Sequence, residues 1–359
     1  MARIARRSFD DPFRPKANTM RPVSTWLFVC AFAVMLMALI GAVTRLTESG
    51  LSIVEWKPVT GAMPPISDAD WQKEFDTYKT SPQYKKVNSG MELGEFKKIY
   101  FWEWVHRFWG RFIGIIYALP LLYFWKRLPP TTRPAFLGIL ALGALQGGMG
   151  WFMVKSGLVD APQVSHYRLA AHLLLAFLIF GSLFRLGLAF RLEPSKDAGK
   201  ISHFRGMVRG ALALTSIVMA WGAFTAGLDA GMVYNDTFPM MGQTVYPVEM
   251  LQYKPVWRAF FEEPATVQFV HRTLAILLFL KILWIVSKTK GFHLPQRLSR
   301  LFRALWVVAL LQITLGISTI VTHVNIIIAT AHQAGAMTVM AILVWLLHEI
   351  PIIEGHKED

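Results

Sequence analysis

The sequence predicts an all-α integral membrane protein with eight transmembrane helices, arranged as two four-helix bundles related by a parallel internal repeat. Three observations predict this. Hydrophobic residues make up 54% of the 359 and fall in long blocks. Only 17% are charged, where average soluble domains carry roughly a quarter. Residues of the same kind recur in the same order in the two halves of the chain. So much apolar surface excludes a solvated disordered chain. Cys30 is the only cysteine, which excludes a disulfide-stapled scaffold.

A span needs about 20 mostly apolar residues. Eight segments qualify: 24–44, 100–124, 134–154, 168–190, 208–228, 267–287, 303–322 and 327–347. Each is expected to be helical, because lipid offers backbone groups no other hydrogen-bond partner. The first reads as an uncleaved span. Its apolar run is too long for a signal peptide, and a polar tail precedes it.

Basic residues choose the orientation. The N-terminal tail holds Arg3, Arg6, Arg7, Arg14, Lys16 and Arg21. The loops after spans two, four and six hold Lys126, Arg127 and Arg133; Arg191, Lys196, Lys200 and Arg205; and Lys288, Lys290, Arg297 and Arg300. These segments alternate correctly, which places both termini in the cytoplasm and the chain in the cell (inner) membrane. Segment 45–99 balances its lysines with acidic residues, and segment 229–266 is net acidic, so both are expected outside. The net charge of +14 is thereby explained by topology, and nucleic acid drops out as a partner. The expected organisation is a basic tail 1–23, an N-terminal half 24–190, a linker 191–207, a C-terminal half 208–347 and a tail 348–359.

The repeat is visible residue by residue. Gly41-Ala42-Val43-Thr44 matches Gly222-Ala223-Phe224-Thr225 at an offset of 181, which also aligns Glu48 with Asp229, Gly50 with Gly231 and Pro58 with Pro239. Val105-His106-Arg107 matches Val270-His271-Arg272, and Leu145-Gln146 and Gly150 match Leu311-Gln312 and Gly316. Ala171-His172 echoes Ala331-His332. Each half has four spans, an even number, so the halves insert with the same orientation about an axis along the membrane normal. Packing alone explains the glycines, which let helices approach closely, but not the polar matches.

Ten histidines occur. His203, His293, His348 and His356 fall at cytoplasmic positions and read as solvated or structural. His166 and His323 lie at outer boundaries. His106, His172, His271 and His332 differ, because they sit in the first turns of spans two, four, six and eight. Those spans all run inward, so the four imidazoles lie at similar depth. Ionisable groups inside spans are costly and usually face the bundle interior. Zinc wants three or four ligands, usually with cysteine or carboxylate among them. A heme iron wants two axial imidazoles, and bundle cores build such sites. Two pairs suggest two heme-sized pockets. Spacing leaves open whether His106 pairs with His172 or with His271; the repeat favours pairing within each half.

The neighbouring residues carry two readings each. Phe101, Trp102, Trp104, Phe108 and Trp109 suit a porphyrin face or an interfacial anchor. Arg107 and Arg272 suit propionates or snorkelling to headgroups. Glu103 lies three residues before His106, on the same helical face, and its counterpart in the second half is Gln268, which does not ionise. That asymmetry points to proton-linked chemistry in the first half and a fixed cofactor in the second. Segment 62–99, with Trp71, Phe75, Tyr78 and Tyr84, is expected to be helical and to cover the first pocket.

Glu103-Trp104-Val105-His106-Arg107, Tyr167-Arg168-Leu169-Ala170-Ala171-His172, Val270-His271-Arg272, Ala331-His332 and Thr44-Arg45-Leu46-Thr47-Glu48-Ser49-Gly50-Leu51-Ser52 together resemble the heme A synthase family over essentially the whole chain. The resemblance implies oxidation of the C8 methyl of heme o to a formyl group, with water-derived oxygen, giving heme a for terminal oxidases. It implies a permanent heme b held by His271 and His332, with Arg272 beside it. It places substrate heme o near His106 and His172, with Glu103 needed for turnover. It implies handover from the farnesyltransferase that makes heme o, and it leaves the electron donor or acceptor open. Some members carry paired cysteines in the outer loops. This chain has none there and fits the branch without them. Two readings compete: a diheme b-type cytochrome that only passes electrons, and a non-catalytic heme transporter or chaperone.

Overall fold

The computed structural model describes residues 20–56, 60–158, 162–195 and 202–350. Most of the basic tail, the middle of the linker and the C-terminal tail after residue 350 lie outside the described residues. Among the described residues the chain is helical and forms no strand. Seven helices are long and apolar enough to cross a membrane: α1 (Arg21–Leu46), α5 (Arg133–Lys155), α6 (His166–Arg191), α7 (Phe204–Gly227), α10 (Pro264–Lys288), α11 (Gln296–Val321) and α12 (Ile326–Glu349). The remaining helices are α2 (Asp68–Lys79), α3 (Pro82–Lys86), α4 (Leu93–Phe124), α8 (Glu249–Gln252) and α9 (Val256–Glu262).

The expected second span, 100–124, is contained in α4 but is not one of the seven. Glu95, Lys97, Lys98, Glu103, Arg107 and Arg111 dilute its apolar character. It also begins seven residues earlier than expected, at a capping box in which Glu95 and Glu92 satisfy each other's backbone donors. His106 therefore lies well inside its helix, whereas His172, His271 and His332 lie in the second turns of theirs. Other ends follow local chemistry. Pro264 opens α10 while Glu263 accepts from the amides of Ala265 and Thr266, and Asn325 caps α12.

Packing repeats along the chain. α1 packs against α4 and α6, and α5 packs against α4 and α6. In the same way α7 packs against α10 and α12, and α11 packs against α10 and α12. α6 meets both α7 and α12, and α12 also meets α1. One apolar core holds Trp26, Phe136, Phe177 and Phe190. A second holds Phe204, Ile282, Phe302 and Leu343. The residues after α1 and α7 repeat as well: Glu48 and Asp229, aligned by the offset of 181, both adopt positive φ, at 53° and 50°. Non-glycine residues seldom do so.

Segment 62–99 is helical as expected, through α2 and α3. Phe75 and Tyr78 bury against Ile53, Phe96 and Tyr100, so this small layer sits over the first turns of α4.

Pro120 lies inside α4 and has no N–H, so the carbonyl of Ile116 lacks its helical donor. The Trp26 indole of α1 supplies one at 2.8 Å, and Cys30 Sγ lies 3.7 Å away. Trp26→Phe keeps the stacking on Phe136 and removes that donor. It is expected to lower stability by about 1–3 kcal/mol, the cost of an unsatisfied buried acceptor, read as a lower denaturation midpoint in detergent.

Candidate functional site

The four core histidines share one arrangement. Each imidazole rests against a glycine on the neighbouring helix. A Cβ built on Gly41 of α1 would lie 3.4 Å from His106 Nε2, and one on Gly222 of α7 would lie 3.0 Å from His271 Cε1. On α5 and α11, a Cβ on Gly150 would lie 3.2 Å from His172 Cε1, and one on Gly316 would lie 2.9 Å from His332 Cε1. These glycines are the ones the repeat aligns. The sequence reading gave them only a role in helix approach; the structure gives each a particular partner.

In the second half His271 and His332 come together. Their ring centroids are 6.4 Å apart and their planes nearly perpendicular, at 87°. Two metal–nitrogen bonds of roughly 2.0–2.1 Å each would take up most of that separation. His271 Nδ1 lies 3.1 Å from the Val218 carbonyl. A carbonyl only accepts, so Nδ1 carries the proton and Nε2 keeps its lone pair, the usual state of a ligating histidine. His332 Nδ1 and Gln312 Oε1 are buried without a hydrogen-bond partner. Among the described residues no cluster of three or more His, Cys, Asp or Glu could hold a metal ion. The donor set thus suits two axial ligands on one macrocycle and does not suit zinc.

In the first half His106 and His172 lie close enough for their charges to interact. Gln146, the counterpart of Gln312, donates through Nε2 to the His172 carbonyl at 3.1 Å and lies 3.2 Å from His172 Nε2. His172 Nδ1 and Gln146 Oε1 are buried and unpartnered. The same atoms are left without partners in both halves.

Glu103 is 2% exposed. Its Oε2 accepts from Ser52 Oγ and from the Ile53 amide, both at 2.7 Å, and its Oε1 accepts from Arg107 at 2.6 Å. Arg107 also donates to the carbonyls of Ile53 and Glu55 and lies over the Trp56 ring. Gln268, equally buried, donates to the carbonyls of Ala230 and Val233 at 2.8 and 2.5 Å. Arg272 donates to the Pro239 carbonyl, to Met241 Sδ and, at 3.5 Å, to Gln268 Oε1. In each half the arginine four residues after the Glu or Gln pins the loop that follows the half's first helix. Both arginines thus have protein partners, and sequence reasoning missed the loop residues Ser52 and Ile53.

The remaining histidines are peripheral. His348 lies 3.0 Å from the Leu192 carbonyl, His323 pairs with Asp236, His203 packs on Phe204 and Phe292, and His166 packs on Tyr167 and Phe224. His356 is outside the described residues.

The family profile described as cytochrome oxidase assembly protein matches residues 24–344. The heme A synthase of Rhodospirillum centenum is 48% identical over 340 residues, covering 92% of this chain and 89% of that protein. The heme A synthase of Nitrosospira multiformis is 46% identical over 345 residues, covering 93% and 95%. That of Paramagnetospirillum magneticum is 44% identical over 339 residues, covering 92% and 94%. The chain belongs to the heme A synthase family. The matched span contains both histidine pairs, Glu103 and Arg107. The resemblance seen in the sequence motifs is thereby borne out over nearly the whole chain.

For this member of the heme A synthase family, the two halves differ in what their clamps bury. Arg107→Met leaves the Glu103 carboxylate buried without its cation, which is expected to cost about 3–5 kcal/mol. Arg272→Met leaves only a neutral amide and carbonyls short of a donor, which is expected to cost about 1–3 kcal/mol. Denaturation midpoints of the two variants, measured side by side, check the order.

Proposed function

We propose that this chain is a heme A synthase, a membrane oxidoreductase that converts the C8 methyl of heme o to the formyl group of heme a for terminal oxidases. Family membership across residues 24–344, with all four core histidines inside the match, carries this reading. The two competing readings explain less. A cytochrome that only passes electrons gains nothing from exchanging Glu103 for Gln268, and a transporter needs a path, which four ligands at one depth do not supply.

The finer reading is as follows. α4 crosses the membrane with the seven apolar helices. The chain is then two four-helix halves, 24–190 and 208–347, with both termini in the cytoplasm and the chain in the inner membrane. The C-terminal half holds heme b between His271 and His332; bound there, it supplies one-electron redox chemistry. The 6.4 Å ring separation, the Val218 carbonyl that orients His271 and the glycine cradles at Gly222 and Gly316 support this. The N-terminal half receives heme o at His106 and His172. Gln146, in contact with His172 there, makes the first-half pair different from the second-half pair. Heme o arrives from the farnesyltransferase that makes it.

The chain's own residues orient and exclude water. Gly41 and Gly150 let the two imidazoles lie flush with their neighbouring helices. The α2–α3 layer, through Phe75 and Tyr78, covers Phe96 and Tyr100 at the start of α4. Among the described residues Glu103 is the one carboxylate buried beside His106, and it takes up and passes on protons released as the methyl group is oxidised. Ser52 and the Ile53 amide hold it for that role, and Arg272 in the other half steadies the loop beside heme b.

Co-expression with a heme o-forming farnesyltransferase, followed by pigment extraction, is expected to yield heme a. Glu103→Gln is expected to retain bound heme and to accumulate heme o. Heme o alone with the unaltered chain would overturn the synthase reading, and full conversion by Glu103→Gln would overturn the proton role.

His271→Ala and His332→Ala are expected to abolish the low-spin heme b absorption. Gly316→Ala, which drives a methyl group into His332, is expected to lower heme b per chain at least severalfold. Pyridine hemochrome assays of the purified variants measure both, and an unchanged spectrum in His271→Ala would remove the assignment.

A further inference from the structure

At the end of the bundle where α6 ends and α7 begins, three arginines converge. The charges of Arg185 on α6 and Arg209 on α7 both act on Arg205, in the first turn of α7. Arg205 donates to the carbonyls of Leu347 and Ile350 at the end of α12, while its Nε is buried with no partner. Arg185 and Arg209 are exposed and have no hydrogen bond or ion pair among the described residues. A further cation lies on the next helix. Lys281 of α10 lays its ammonium over Gly210, the residue after Arg209, where a built Cβ would come within 3.2 Å of Nζ. Lys281 likewise has no hydrogen bond or ion pair among the described residues.

Arg185 and Arg209 act on Arg205 as like charges, an interaction that is stronger where water is scarce. Among the described residues the one carboxylate buried nearby, Glu349, is already committed to Arg297, Ser195 and Trp345. The first turn of α7 adds backbone N–H groups and the positive end of its dipole, which also favour an anion. Below the charges the surface turns apolar. Ile217 lies on the same exposed stripe of α7 as Arg209 and Ala213. Leu178 of α6, two turns from Arg185, and Leu277 of α10, one turn from Lys281, are also exposed. Charge at one level with exposed apolar side chains beneath it matches the profile of a phospholipid.

We propose that Arg185, Arg205, Arg209 and Lys281 bind the headgroup of an anionic phospholipid of the phosphatidylglycerol class, whose acyl chains lie along α7 between α6 and α10. The proposal rests on α6, α7 and α10 lying in a bilayer and is independent of the heme chemistry. Basic pockets between spans hold such headgroups elsewhere.

The test is native mass spectrometry of the purified full chain, titrated with phosphatidylglycerol and with phosphatidylcholine. Each Lys or Arg near a headgroup contributes about 1 kcal/mol, roughly fivefold in affinity. The double variant R185Q/R209Q is therefore expected to bind phosphatidylglycerol about 25-fold more weakly. Arg300→Gln, a control at the start of α11, is expected to bind it like the unaltered chain, and phosphatidylcholine is expected to bind weakly to all three. Raising the salt concentration is expected to weaken phosphatidylglycerol binding by the unaltered chain, a reading that does not depend on any variant folding. Equal binding by the double variant, equal loss in the control, or salt-independent binding overturns the site. Inorganic phosphate binding as tightly as the lipid overturns the lipid assignment.

Discussion

An imidazole inside an apolar helix bundle has to be accommodated by the helix next to it, and here that helix supplies a glycine each time. Gly41, Gly150, Gly222 and Gly316 give His106, His172, His271 and His332 a surface without a side chain. The rings lie flat in the seam between two helices and are not pushed toward lipid. Burying an ionisable ring is costly, and that cost is tolerable only where a partner waits for the free nitrogen. In the second half the Val218 carbonyl meets His271 Nδ1, which leaves Nε2 as the free nitrogen. The packing of α1 on α4, α5 on α6, α7 on α10 and α11 on α12 follows from the same contacts.

The two halves share a scaffold and differ in charge. Arg107 and Arg272 both pin a loop to the helix that carries the histidine, yet one buries a carboxylate with it and the other an amide. Glu103 takes hydrogen bonds from a hydroxyl, an amide and a guanidinium. Gln268 donates to two carbonyls, the opposite polarity. A carboxylate that accepts from a hydroxyl, an amide and a guanidinium is a group able to gain and lose a proton, whereas an amide bonded to backbone carbonyls suits a fixed framework. The difference in roles proposed for the two halves rests on that reversal.

Much of this was legible in the sequence, and the limits have physical reasons. Apolar runs revealed seven long helices, because lipid leaves a backbone no other option. α4 was legible only in its apolar part. The first turns are held by the capping box at Glu92 and by burial of Phe96 and Tyr100, a soluble-type arrangement that hydropathy does not register. The histidines stood out by recurrence, and so did the glycines, but nothing in spacing joins Gly150 to His172. That contact depends on how α5 rotates against α6. The loop donors to Glu103 were equally hidden, since Ser52 lies 51 residues away and reaches it only after α1 turns back. Arginine next to histidine read equally well as a propionate partner or as snorkelling; the structure added a third role, the loop clamp.

The seam between the halves is tied at the same level as the histidines. Gln333, the residue after His332, donates to the Ala38 carbonyl of α1 at 3.2 Å. One turn further along α1, Gly41 faces His106. The counterpart of Gln333 in the first half is Leu173, which has no amide to donate, so the tie exists only once. A second tie joins the ends of α1 and α7, where Arg45 donates to the Ala226 carbonyl at 3.0 Å and to Asp229 at 2.6 Å. With α1 held at two levels, α12 slides past it only by breaking the Gln333 bond, so His332 and the Gly41 surface keep their register. The distance between the proposed cofactor pair and the proposed substrate pair is therefore set by one helix seam.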